Sequence, residues 1–135
     1  MKKDQLDELI IDSDTTADTK ILAEILGEYI RFTKTGEILF EKPFDKEKEW
    51  KKVILFLLSK KVITIKKLKK DAKEESSPTE ISEKTFIANS TVRRSLKREL
   101  KNIVVKSGRG LYKIPNYNLR KCKSLIKKDI EYEKS

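Results

Sequence analysis

Residues 77–114 constrain the fold of this chain more than any other stretch. They open with SPTE, a capping box whose proline takes the first helical position, and this predicts a helix ending near Phe86. Four apolar residues then recur at spacings of four, four and three. They predict a second helix that opens near Asn89 and buries one stripe, made of Val92, Leu96, Leu100 and Ile103. Two short helices joined by a tight turn form a helix-turn-helix.

The outward face of the second helix is expected to be basic. At 100° per residue, the side opposite the apolar stripe holds Ser90, Arg94, Lys97 and Lys101, flanked by Thr91, Arg98 and Arg93. Glu99 is expected toward the core or its edge, which leaves the outward face without an acid. Asn89 or Ser90 is expected to cap the helix, because Ala88 has no capping oxygen. Such a face offers hydroxyl and guanidinium donors to phosphates and base edges.

A basic hairpin is predicted directly after this helix. Residues 103–106 and 111–114 have the composition of short strands, and the Ser-Gly-Arg-Gly stretch between them suits a turn that needs positive φ angles. Lys106, Arg109 and Lys113 distribute positive charge along the hairpin and at its tip. A basic hairpin behind a helix-turn-helix is described as a wing.

This order of elements, centred on EISEKTFIANSTVRRSLKREL, resembles the winged helix-turn-helix domains of archaeal and bacterial transcriptional regulators. The resemblance covers about residues 45–115 and is most specific over residues 80–100. It implies that Arg109 reaches a phosphate or the minor groove of DNA, and that four residues lie in the major groove: Ser90, Thr91, Arg94 and Lys97. Phe86 departs from the pattern, because these domains usually have a small residue in this turn. This departure implies either a different turn geometry or an aromatic plug, in which the Phe86 ring fills the turn.

We therefore expect a double-stranded DNA-binding protein of the transcriptional-regulator type. The expected DNA-binding residues are Asn89, Ser90, Thr91, Arg93, Arg94, Lys97, Arg98, Lys101, Lys106, Arg109 and Lys113. The alternative is a winged-helix module that docks onto another protein without reading DNA, because a fold does not fix a function. The acid-free helix face favours DNA, since a protein partner does not demand it.

The distribution of charge agrees with a polyanionic partner. The chain has 135 residues and a formal net charge of +10. Residues 1–45 hold 6 Lys or Arg against 11 Asp or Glu, whereas residues 46–135 hold 26 against 11. The positive charge is therefore concentrated in the part that resembles a winged helix.

The whole chain is expected to be mainly α with small β-hairpins, an α+β fold. Residues 1–19 are expected to form a polar, flexible tail, and residues 20–44 a helix and a hairpin, with the helix ending between residues 29 and 32. Residues 45–115 then form the winged helix-turn-helix, with Asp45 capping a first helix in which Trp50 is core. Residues 63–72 either extend that helix or form a separate turn of helix.

Residues 116–135 are expected to form a final amphipathic helix, with Leu119, Cys122, Leu125, Ile126 and Ile130 on its apolar side. This helix can pack on the amino-terminal helix or on a second subunit, so a homodimer is a further expected partner. A dimer of this kind would read a near-palindromic site with half-sites about one helical turn apart.

Enzyme chemistry finds little support in the composition. There is no histidine, and the one cysteine, Cys122, cannot form a thiolate zinc site and is expected to be buried. The four glycines form neither a phosphate-binding loop nor a dinucleotide fingerprint, so no metal or cofactor is expected. No apolar run has the length of a membrane span, and a single cysteine suits the reducing cytoplasm.

Overall fold

The computed structural model describes Leu6 and residues 17–134, with only the helical backbone described for residues 128–134. Most of the expected tail over residues 1–19, and the Ile130 side chain, lie outside the described residues. The helices are α1 (Thr19–Leu26), α2 (Lys42–Asp45), α3 (Glu49–Ile65), α4 (Pro78–Thr85), α5 (Asn89–Lys97) and α6 (Leu119–Lys134). The strands are β1 (Ile30–Phe32), β2 (Ile38–Phe40), β3 (Val105–Lys106) and β4 (Tyr112–Lys113). Helices with two small antiparallel hairpins make an α+β fold, as expected.

The amino-terminal helix is shorter than its periodicity predicts. Asp18 caps α1 by accepting a hydrogen bond from the Ile21 N–H at 3.1 Å. The helix ends at Leu26, because the next buried residues, Tyr29 and Ile30, already lead into the first hairpin. That hairpin is confirmed, and β1 pairs antiparallel with β2 so that Ile30 lies opposite Phe40.

The central helix α3 does not begin at Asp45, so the predicted cap is wrong. Asp45 instead ends α2, a single turn with Pro43 near its start, and α3 begins at Glu49 without a side-chain cap. Trp50 is only partly buried and packs at the edge of the core. Six consecutive residues over 53–58 are fully buried, because α1, α4, α5 and α6 all contact α3. The helix ends at Ile65, and residues 66–72 form turns and a bend, so they neither extend it nor form a separate turn of helix.

One hydrophobic cluster joins the amino-terminal, central and carboxy-terminal parts of the chain, from Leu22 to Ile126. In it α6 packs on α1, and Lys123 Nζ lies 2.6 Å from Glu24 Oε2 beside that contact. This is one of the two arrangements expected for the final helix. Cys122 is fully buried, as expected. Within residues 17–134, no helix is both long enough and apolar enough to cross a membrane.

Candidate functional site

The helix α4 begins as its capping box predicts, although only half of the box forms. Ser77 Oγ accepts a hydrogen bond from the Glu80 N–H at 3.1 Å, and Pro78 takes the first helical position. The Glu80 carboxylate turns to Lys60 of α3, with Oε2 2.8 Å from Nζ. The start of α4 is therefore tied to the central helix.

Phe86 ends α4 in a left-handed backbone conformation, with φ 62° and ψ 25°. Its N–H donates to the Ser82 carbonyl at 2.9 Å, which is the closing bond that a terminal glycine usually makes. The side chain is 92% exposed, so the aromatic-plug expectation is wrong. The turn has the geometry expected of a glycine, and the steric cost of a Cβ in that conformation falls on Phe86.

Neither Asn89 nor Ser90 caps α5, so that expectation is also wrong. Ala88 holds the capping position without a side-chain hydrogen bond, and both polar residues lie in the first turn. The Asn89 amide instead donates to Thr79 Oγ1 at 3.3 Å, and its oxygen accepts from Arg93 Nε at 2.7 Å. These bonds hold Asn89 and Arg93 in fixed positions at the amino end of α5.

The apolar stripe continues beyond the helix that was predicted to carry it. Leu100 and Ile103 are buried, yet α5 ends at Lys97, because Arg98 leaves the helical region with φ −107° and ψ −84°. A turn follows in which the Ile103 N–H donates to the Leu100 carbonyl at 2.9 Å. The strands after it are also shorter than predicted, with two residues each.

The eleven expected DNA-binding residues follow one another along α5, its terminal turn and the second hairpin. Most have exposed side chains; Asn89, Thr91 and Lys113 are partly buried. Residues 89–113 hold eight Lys or Arg and one acid, Glu99. This segment is therefore strongly cationic.

Among the described side chains, the cations of this segment have no carboxylate partner. The five ion pairs seen among the described side chains all use lysines outside residues 89–113: Lys51, Lys60, Lys61, Lys123 and Lys127. Arg94 and Lys97 are exposed, and neither side chain has an ion-pair or hydrogen-bond partner in the described part of the chain. The positive charge of the segment is thus free to act on an external anion.

Acidic residues border one edge of this surface. Glu99, expected toward the core, is exposed and lines a shallow pocket with Thr91 and Arg94. Glu49, the first residue of α3, and Glu47, two residues before it, line the same pocket. Glu47 is paired with Lys51, whereas the Glu49 and Glu99 carboxylates repel a polyanion, so this edge of α5 is less favourable for phosphates. Glu47 and Glu49 precede α5 by about forty residues, and no pattern in the sequence places them beside it.

The second hairpin is joined to the residue that precedes the α4 cap. Ser76 and Tyr112 form an antiparallel bridge, and Val105 pairs with Lys113 inside the hairpin. Lys106 Nζ lies 5.9 Å from the centroid of the Tyr112 ring, a cation–π contact. Arg109 is exposed at the tip, between two glycines, one of which adopts φ 73°.

A buried lysine holds the base of the hairpin against α3. Lys61 is 2% exposed, and its Nζ donates to Glu74 Oε2 at 2.9 Å and to Asn116 Oδ1 at 2.5 Å. Glu74 lies before α4 and Asn116 follows β4, so one ammonium joins three parts of the chain. No pattern in the sequence marks Lys61 as buried, because a lysine gives no signal of burial without its partners.

Across the described side chains, no three Cys, Asp or Glu residues lie close enough to share a metal ion. No family model, curated protein or solved structure matches this chain. The functional proposal therefore depends on the geometry and charge of residues 76–113.

Proposed function

We propose that this protein binds double-stranded DNA through a winged helix-turn-helix and acts as a transcriptional regulator. In this proposal α4 and α5 are the helix-turn-helix, α5 is the recognition helix, and β3 with β4 is the wing. The single observation that carries the proposal is the set of exposed, unpaired cations on α5 and its terminal turn, represented by Arg94 and Lys97.

The arrangement of elements supports a role for these cations in one continuous surface. The helix α5 contacts both α3 and α4, so its buried side is fixed and its cations point outward. The Ser76–Tyr112 bridge fixes the base of the hairpin relative to α4. A rigid scaffold lowers the entropy lost on binding and lets phosphate contacts set the register of a helix in a groove.

Roles within this surface follow from side-chain chemistry. Arg94 and Lys97 contact base edges or phosphates in the major groove, with Ser90 and Thr91 at the amino end of α5. Lys101, Lys106, Arg109 and Lys113 neutralise phosphates on either side. The acidic edge formed with Glu99 directs the duplex toward the Lys97 side of the helix.

Salt dependence tests the proposal without knowledge of the DNA site. A labelled random-sequence duplex is titrated with the full chain at several salt concentrations, and binding is followed by fluorescence anisotropy. With about six phosphate contacts, log affinity falls with log salt at a slope of about −5. A nearly flat response would contradict DNA binding, because neutralised phosphates must release their counterions.

A further inference from the structure

A second surface lies on another side of α4. A groove of about 420 Å³ separates β2 from α4, and we call it the β2–α4 groove. Ile38 and Phe40 form one wall, Phe56 and Ile63 the floor, and Lys84 and Phe86 the other wall. Its floor residues are buried, so a ligand here meets an apolar base.

The groove is separate from the cationic surface. Thr79 and Ser82 are the α4 residues that bond toward α5, through Asn89 and the Ile87 carbonyl. Glu80 lines the groove together with Lys84, which lies one turn further along α4. At 100° per residue these two pairs lie on different sides of α4, so both surfaces can be occupied at once.

In the part of the chain that the structure describes, no strand pairs with the outer backbone edge of β2. At the two ends of the hairpin ladder, the Glu41 N–H donates to the Tyr29 carbonyl and the Thr33 N–H donates to the Glu37 carbonyl. Hydrogen-bonded and non-hydrogen-bonded pairs alternate in an antiparallel sheet, so Leu39 is bonded to β1, and Ile38 and Phe40 direct their N–H and C=O groups away from β1. An unpaired edge of this kind is a template for another strand.

The free edge faces the groove. Ile30 and Phe32 of β1 line a different cavity together with Leu22 of α1, whereas Ile38 and Phe40 of β2 line the groove with α4. The strand β1 therefore lies on the α1 side of the hairpin, and the open edge of β2 lies on the α4 side. A chain lying along the groove can reach these backbone groups.

Charge and exposure indicate what such a chain contains. Three lysines and two glutamates line the groove, so its lining keeps a net positive charge: Lys60, Lys69 and Lys84 against Glu37 and Glu80. Lys60 and Glu80 form an ion pair, and Lys69 and Lys84 are exposed on opposite walls without an ion pair among the described side chains. The Lys69 side chain lies across the β1–β2 turn, against Gly36. Phe86 places an exposed aromatic ring at the rim, which offers apolar surface to a ligand in the groove.

We propose that the β2–α4 groove binds an extended segment of a partner protein as a third strand on β2. Apolar residues of that segment alternate with acidic residues, so that one set faces the groove floor and the acids reach Lys69 and Lys84. The partner binds whether or not α5 holds DNA, so this inference does not depend on the proposed function.

A synthetic peptide tests this inference with the full chain. The probe is an acetylated, fluorescein-labelled heptapeptide in which valine alternates with glutamate, and its binding is followed by anisotropy. Saturable binding is expected, with slower hydrogen exchange at the Ile38 and Phe40 amides and little change at Leu39, which already bonds to β1. Absence of binding, or binding that leaves the exchange of Ile38 and Phe40 unchanged, would overturn the proposal.

Matched variants and peptides localise the contact. Phe86→Gly is expected to weaken peptide binding by about tenfold, since buried aromatic contacts dominate such interfaces. Lys84→Ala is expected to weaken it too, whereas Lys34→Ala, an exposed lysine at the hairpin tip, leaves it unchanged. A peptide N-methylated at the alternate residues whose N–H groups face β2 loses binding, because it cannot donate hydrogen bonds to β2. A Phe86→Gly variant that loses duplex DNA affinity and keeps peptide affinity would place Phe86 in the DNA interface and refute this assignment.

Discussion

Ser76 and Tyr112 exchange two backbone hydrogen bonds: the Tyr112 N–H donates to the Ser76 carbonyl at 2.8 Å, and the Ser76 N–H donates to the Tyr112 carbonyl at 2.9 Å. Ser76 is fully buried and immediately precedes the cap of α4. The hairpin is therefore attached to the start of α4 by main-chain bonds, which side-chain substitutions leave in place.

This attachment predicts a gradient of hydrogen exchange within the hairpin. The Ser76 and Tyr112 amides are expected to exchange slowly, since both are bonded at the base, and the Gly108 amide at the exposed tip is expected to exchange fast. Amide exchange followed by NMR measures this directly. Equal exchange at Tyr112 and Gly108 would mean that the hairpin opens as a unit and is not held against α4.

Removal of the buried ammonium of Lys61 is expected to be costly. Lys61→Met leaves the Glu74 carboxylate without its ion-pair partner in a partly buried position, and lowers the free energy of unfolding by about 2–3 kcal/mol. The matched control is Lys60→Met, which breaks the more exposed pair with Glu80 and costs about 1 kcal/mol or less. Urea denaturation of both variants gives the comparison. Equal losses would show that Lys61 contributes no more than a surface ion pair.

Replacement of Phe86 by glycine is expected to stabilise the fold. The ring is 92% exposed, so its removal loses little buried area, and glycine adopts the left-handed conformation without a Cβ clash. We expect Phe86→Gly to raise the free energy of unfolding by about 1 kcal/mol, measured by urea denaturation. The control is Phe86→Ala, which keeps a Cβ and gains less. A destabilised Phe86→Gly would mean that the ring makes native contacts.

Burial raises the pKa of the Cys122 thiol to about 12. In the unfolded chain the thiol ionises near pH 8.5, so above this pH the folded state holds a proton that the unfolded state has lost. Below about pH 8.5 the thiol is protonated in both states, and its contribution to the free energy of unfolding is complete. As the pH rises from there toward 12, the free energy of unfolding falls by up to about 1.4 kcal/mol per pH unit.

Two measurements check this prediction for Cys122. Between pH 8.5 and 10, the free energy of unfolding of the wild type is expected to fall more steeply than that of Cys122→Ala, which lacks the titrating group. A thiol reagent is expected to label the native protein only as fast as it unfolds. Parallel pH profiles for the two proteins would contradict the prediction.

Local signals in the sequence located most elements. The Ser77 cap, the first hairpin and the final helix depend on neighbouring residues, and each forms close to its predicted position. Long-range contacts decided the rest. The helix α3 begins at Glu49 and not directly after Asp45, because residues 42–45 form a separate helical turn. The spacing of apolar residues within α3 does not indicate that turn.

The apolar stripe predicted burial better than it predicted helix length. Leu100 and Ile103 are buried as the stripe requires, although both lie beyond the end of α5. The turns there include bonds between residues three apart, such as Ile103 and Leu100, and such turns space their buried side chains nearly as a helix does. For the candidate surface, the sequence indicated the exposed cations correctly and missed the acids beside them. Glu99 is exposed because the chain turns after Arg98, and Glu47 and Glu49 approach α5 only through tertiary folding.

The most direct test of the central claim compares two double variants in duplex DNA binding. Arg94→Ala with Lys97→Ala removes two charges from α5, and Lys34→Ala with Lys70→Ala removes two exposed charges elsewhere. All four side chains are exposed, so both variants are expected to keep the free energy of unfolding of the wild type. At fixed low salt the α5 variant is expected to lose at least about tenfold in affinity and the control much less. Equal losses would show that only net charge attracts DNA and would contradict α5 as the recognition helix.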